Sequence, residues 1–197
     1  MVVADPGWVD ADAGCRCRRQ RPRLGRCRCL CVGSAAANTL REETTISALE
    51  ISEKPLPYVR LATLTESVST QPEVAPVVGP LFDRVADALL ASGATLGLPI
   101  AEYDMDRHGV RITVGFTYDG PAIEGLVIVE LPAVESAFSA THHGSMATID
   151  DSWRAVNDAI TERGVTAVGP CREVYLQSES EDQADWITEL QQPVSAN

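Results

Sequence analysis

The sequence predicts an α+β domain of two fused β-α-β-β repeats that share one antiparallel sheet, with two helices on one face. Three observations lead there. Two segments match at a constant offset of 71, "FDRVADALLASGATLGLPIAE" from Phe82 and "WRAVNDAITERGVTAVGPCRE" from Trp153. Each contains an apolar stripe at helical spacing. Each is followed by two short strand-like runs around a polar turn.

The repeat is specific in its register. Phe82 falls on Trp153, Val85 on Val156, Leu89 on Ile160, Gly93 on Gly164, Pro99 on Pro170 and Glu102 on Glu173. Upstream, "EISEKPLPYVRL" lies over "VIVELPAVESAF" at an offset of 77. The change of offset gives the first copy six extra residues between strand and helix, a length that "STQPEVAPVVG" supplies as a loop. Searching for such periods precedes assigning elements, because a repeat fixes the architecture as a whole. The copies are expected at residues 46–120 and 121–197.

Within each copy an extended segment comes first and runs through a proline, which marks a bend or an edge. The helix follows: Phe82, Val85 and Leu89 make one stripe, and Trp153, Val156 and Ile160 the other. Gly93 and Gly164 stand where a left-handed C-terminal cap is wanted. Thr148, three residues before Asp151, resembles a capping box opening the second helix, and Pro80 suits the first turn of the first. Then come "AEYDM" and "VRITVGFTY" around "DRHG", and "REVYLQ" and "DWITEL" around "SESEDQ". Neither copy alone covers both faces of its strands, so the copies are expected to join.

Cysteine and basic charge are concentrated together at the start of the chain, and acidic charge in the rest. Residues 1–45 contain five of the six cysteines, Cys15, Cys17, Cys27, Cys29 and Cys31, interleaved with seven arginines. Three readings of this stretch stand side by side: a soft-metal site, a basic arm, or a disordered or misassigned leader. The one-residue spacing of the cysteines and the lack of a nearby histidine count against structural zinc. The folded domain is expected from residue 46 to 197. That part has 8 basic and 23 acidic residues, net −15, which opposes a phosphate-binding face and any direct nucleic-acid contact. An acidic surface that favours solubility accounts for the charge without any ligand. No apolar run of 18 residues and no secretory signal occur, so no membrane partner and a cytoplasmic location are expected.

The segment "GPCREVYL", residues 169–176, has a carboxylate at the centre of an apolar strand. Alternate residues of a strand face opposite sides of a sheet. Val174 and Leu176 are expected to face the helices. Glu173 and Tyr175 then lie on the opposite face, in a ligand cleft near the repeat axis. Alternation equally accommodates a merely solvated face there.

The paired copies, together with "HHGSM", "GPCREVYL" and the terminal "ITELQQPV", resemble the GyrI-like small-molecule-binding family. That family includes the drug-binding domains of MerR-type and AraC-type multidrug regulators. The resemblance spans about residues 46–194. It implies an aromatic-lined cleft with a carboxylate at Glu173 that meets cationic, planar ligands, and no cofactor. Tyr175, Tyr103, Tyr58, Met146, His142 and Trp153 are the other candidate contacts, with His142 at the rim. Trp153 also lies on the helix stripe, where packing explains it. Tyr103 depends on whether it or Glu102 turns toward the cleft. Met146 stands where the family usually has an aromatic residue.

Three functions follow as expectations. The first is a stand-alone binder of lipophilic cations, since residues 1–45 are too short and biased for a DNA-binding module. The second is a hydrolase of reactive small molecules using the Glu/Tyr pair, although no nucleophile–base–orienter set is visible: His108 falls in a turn and Cys171 has no evident base. The third is a protein partner such as gyrase, with the acidic surface imitating DNA.

Overall fold

The computed structural model describes residues 49–196. The cysteine-rich stretch, its three readings and the start of the expected domain at residue 46 lie outside the described residues.

The elements in order are β1 Ile51–Leu56, β2 Val59–Val68, α1 Ala75–Ala91, β3 Pro99–Asp106, β4 Gly109–Thr117, β5 Val127–Leu131, β6 Val134–His143, α2 Ile149–Arg163, β7 Thr166–Ala167, β8 Cys171–Gln177 and β9 Ile187–Ser195. The predicted class, α+β with a shared antiparallel sheet and two helices, is what forms. Main-sheet order is β1-β6-β9-β8-β3-β4-β2-β5, with β7 added on β9. Exchanging β1 with β5, β2 with β6, β3 with β8 and β4 with β9 gives the same order read from the other end. The two copies are therefore related by a pseudo-two-fold between β3 and β8. Their first strands cross over: β1 pairs with β6 of the second copy, and β5 with β2 of the first.

The apolar stripes do what their spacing predicts. Val85 and Leu89 of the α1 stripe, joined by Leu81, which the stripe did not include, pack on Ala62, Ala101, Ile112, Val114 and Phe116, and Phe82 packs against them partly buried. Val156 and Ile160 of α2 pack on Phe138, Ala140, Leu190 and Val194. Trp153 contributes to both clusters. Both helices end on a left-handed glycine, Gly93 at φ 81° and Gly164 at φ 72°, the conformation that glycine enters without a Cβ penalty.

Several local expectations are corrected. The stretch "STQPEVAPVVG" is not simply a loop. It contains a 3-10 turn at Gln71–Glu73 and the first residues of α1. Pro80 accordingly sits inside α1, with Pro76 taking the early position where a missing N–H costs nothing. Thr148 makes no side-chain cap at α2. Its hydroxyl instead donates to Ser145 O at 2.9 Å. The carboxylate that reaches back at a helix start is Glu73, which accepts from the Ser69 and Thr70 amides at 2.9 and 3.2 Å.

The larger correction concerns the faces of β8. Val174 packs with Leu61, Ile100 and Leu131 on the side away from the helices, while Cys171 and Tyr175 join the α1 core. Leu176, on Val174's side, is 48% exposed. Glu173 and Tyr175 therefore lie under the helices, and the expected cleft on the opposite face does not contain them. The reason is that this curled sheet buries apolar side chains on both faces. Hydrophobicity at Val174 then no longer marks the helix side, and a one-residue difference in reading inverts every side chain.

Candidate functional site

The β3–β8 pair at the pseudo-axis positions the site. Ala101 stands opposite Glu173, Tyr103 opposite Cys171, and Glu102 opposite Arg172. Residues directly opposite in neighbouring strands share a face. Tyr103 thus turns toward the helices with Glu173, and Glu102 turns away with Arg172. The ambiguity between Glu102 and Tyr103 is resolved in favour of the tyrosine. Tyr103 and Tyr175, 72 residues apart, share this face. The sequence offset of 71 had aligned Glu173 with Glu102, on the other face.

Glu173 is 5% exposed, Tyr175 5% and Tyr103 9%. Glu173 Oε2 accepts from Tyr103 OH and from Tyr175 OH, each at 2.8 Å. Its Oε1 accepts from Trp153 Nε1 at 2.9 Å. Both carboxylate oxygens accept hydrogen bonds, yet all three donors are neutral. Among the described residues, no lysine, arginine or histidine forms an ion pair with it. Arg172, its neighbour in sequence, pairs with Glu102 across the other face at 3.4 Å. At that length Nε keeps the charge contact but gains no proper hydrogen bond.

Rings enclose the carboxylate. Phe82 of α1 meets Tyr175 edge-on, with centroids 5.4 Å apart and planes at 86°, and meets Phe116 at 5.6 Å. Trp186 also meets Tyr175 edge-on, with centroids 6.4 Å apart. Edge-to-face contacts of this kind are the favoured arrangement of aromatic quadrupoles. Burial, with the Glu173 charge second, holds the Tyr103 and Tyr175 phenols well above the ordinary tyrosine range. The same two causes push the Cys171 thiol up to about 12. These groups stay protonated near neutral pH, and the two phenols serve Glu173 as donors.

The remaining candidates divide. Met146 packs half-buried against the same core, and its Sδ lies 3.8 Å from Thr188 Oγ1. His142 is buried, not at a rim: Ser152 Oγ lies 2.9 Å from Nδ1 and Ser145 O 3.1 Å from Nε2. The carbonyl can only accept, so Nε2 donates to it. His142 thus fastens the start of α2. Tyr58 lies in the bend between β1 and β2, 52% exposed and apart from the cluster. Phe82 and Trp186 were not among the candidates. Phe82 was legible as the repeat partner of Trp153, whereas Trp186 carried no signal beyond being aromatic.

Two surface hollows of about 500 and 460 Å³ open elsewhere, one beside Gly93 and Tyr118 and one beside Arg84 and Gly125. Among the described residues no group of three potential metal ligands converges, and no helix is long and apolar enough to cross a membrane.

The family profile described as the GyrI-like small molecule binding domain matches residues 49–195. The chain belongs to this family. No curated protein sequence matches it. The EcmrR C-terminal domain has 17% identity and a TM-score of 0.61, over 76% of this chain and 99% of that one. SAV2435, solved with tetraphenylphosphonium, has 16% identity and a TM-score of 0.57, over 74% and 94%. A Listeria innocua protein described as a hydrolase has 12% identity and a TM-score of 0.52, over 74% and 92%. At these identities the likeness concerns the fold.

Proposed function

We propose that this GyrI-like domain binds lipophilic monocations with delocalised charge at Glu173, as a sensor or sequestering protein. The observation that carries this is a carboxylate only 5% exposed, ringed by aromatic side chains, with three neutral donors and no cationic partner among the described residues. Burying an unpaired carboxylate is costly, and neutral donors offset only part of that cost. A guest carrying one diffuse positive charge supplies the missing counter-charge. Its apolar surface gains from the same burial, and ring faces attract it as well. None of these forces demands one shape, so affinity across a class of cations is expected. Tetraphenylphosphonium, held by the SAV2435 relative, has the required character.

The test is a titration of tetraphenylphosphonium into the full chain and into Glu173→Gln. The substituted amide keeps an oxygen for the phenols but removes the charge. The expected loss is about 1.5–3 kcal/mol, the range for hydrogen bonds to charged groups, with the fold retained by far-ultraviolet circular dichroism. Equal affinity in the two proteins overturns the reading.

A second reading, hydrolysis of a reactive small molecule, draws on two phenols sharing one carboxylate oxygen, a proton-transfer arrangement. The fold is also that of the protein described as a hydrolase. Turnover of an electrophilic substrate that disappears in Glu173→Ala would place catalysis above binding.

A further inference from the structure

The carboxylate of Glu173 is sealed, so something must set how often it is reachable. Trp153 supplies part of the seal from the first turns of α2. Beside His142, which meets Ser145 O and Ser152, the approach to α2 is held by a side chain from a different loop. Gln183, between β8 and β9, places Oε1 3.0 Å from Met146 N and 3.3 Å from Ser145 Oγ, and both donate to it. The Met146 amide spends its hydrogen on this side chain.

Gln183 holds its place at a backbone cost. Among the described residues it is the one non-glycine with a positive φ, 57°, a conformation that crowds any Cβ. The loop around it is tied down at several points. Trp186 N donates to Gln183 O at 3.3 Å, and Gly144 N donates to Trp186 O at 2.9 Å. Trp186 Nε1 donates to Ser180 O at 2.7 Å, and its ring rests against Tyr175. One loop therefore holds both the approach to α2 and a wall of the tyrosine cluster.

We propose that Gln183 is a latch: by holding Ser145 and Met146 it keeps the start of α2, and with it Trp153, closed over Glu173, and its release opens the site. Gln183 is a positioning residue, acting through α2. The proposal rests on the reading of Glu173 as the ligand contact. Two hydrogen bonds of ordinary strength correspond to roughly a tenfold change in the closed-to-open ratio. Because only the open form admits a guest, apparent affinity scales with the open fraction.

The experiment compares the full chain with Gln183→Ala, Gln183→Gly and Gln183→Glu. Backbone amide exchange, measured without ligand, is expected to quicken roughly tenfold at Met146 and through the start of α2 in the alanine and glycine variants. The glycine variant relieves the φ 57° cost, so quickening there separates loss of the side-chain latch from loss of loop order. The glutamate variant keeps an acceptor oxygen and should exchange as wild type does. Tetraphenylphosphonium is expected to bind roughly tenfold more tightly to Gln183→Ala. Unchanged exchange at Met146 overturns the latch. Faster exchange with unaltered cation affinity, while Glu173→Gln still weakens binding, overturns its control of the site. Faster exchange with no cation bound by any of the proteins sinks the ligand assignment and leaves the latch supported.

Discussion

At the scale of single residues, the decisive fact is that a charge and its donors are all buried together. Cys171 offers an independent measure of that burial. Its thiol, ordinarily 9.0, is pushed up to about 12 by burial and by Glu173. The unfolded thiol therefore ionises first as pH rises, and ionisation favours the unfolded chain. The stabilisation is complete below about pH 9 and is lost progressively as pH climbs toward 12. Stability should fall between about pH 9 and about pH 10 by up to about 1.4 kcal/mol from this group alone. In Cys171→Ala the fall over that interval should be shallower, read from urea unfolding at a series of pH values. The tyrosines add a second decline above about pH 10, because burial holds both phenols higher than in the unfolded chain. Tyr103→Phe should reduce that later decline and, by removing one donor from the carboxylate, cost about 1.5–3 kcal/mol at neutral pH. Glu173 was legible in the sequence as a charge among hydrophobes. Its face was not, because Val174 and Tyr175 are both 5% exposed on opposite sides of one strand and alternation cannot say which side carries the helices.

At the scale of elements, the helices and hairpins were readable because their signals are periodic and local. Leu81, Val85 and Leu89 are the buried positions of α1, and Val156 and Ile160 those of α2. The two-residue turn at Arg107–His108 closes β3 onto β4 as the polar "DRHG" predicted. Helix starts were less readable, since several nearby Ser, Thr and acidic residues compete for the same cap. Thr148 and Asp151 have capping-box spacing, yet a 3-10 turn beginning at Met146 brings the chain into α2, with Ser145 Oγ accepting from Ala147 N at 3.2 Å. The first helix received no such prediction, although Thr70 and Glu73 have the same spacing. These assignments differ in what they predict. Glu73→Ala should cost about 1 kcal/mol, because two amides at the entry to α1 lose their acceptor. Thr148→Val should cost less than about 0.5 kcal/mol, since its hydroxyl is exposed and caps nothing. Chemical denaturation of the two variants side by side decides between them.

For the whole molecule, the repeat told which segments are equivalent but not which segments touch. Equivalence is local and can be read by aligning the chain with itself, whereas partnership across the pseudo-axis depends on how two copies close on each other. The exchange of first strands follows from that closure and has a consequence for folding. Strand β2 has β4 of its own copy on one side, but on the other only β5 of the second copy. Strand β6 likewise has β9 of its own copy and β1 of the first. Split at residue 120, each half would contain a first strand with no neighbour and a long strand with one bare edge. Unpaired backbone groups along such edges are costly unless solvated or paired by another chain. Each half would also expose the β3 or β8 edge at the axis, and with it the face that surrounds Glu173. A chain of residues 49–120 should therefore be unfolded as a monomer, and so should 121–196, while an equimolar mixture regains dispersed amide resonances. Either half alone should order only at concentrations where a second copy supplies the missing strand, so that sedimentation and helical circular dichroism change together on dilution. A half that stays folded and monomeric at low concentration would show that each repeat is self-sufficient and that the strand exchange contributes little to stability.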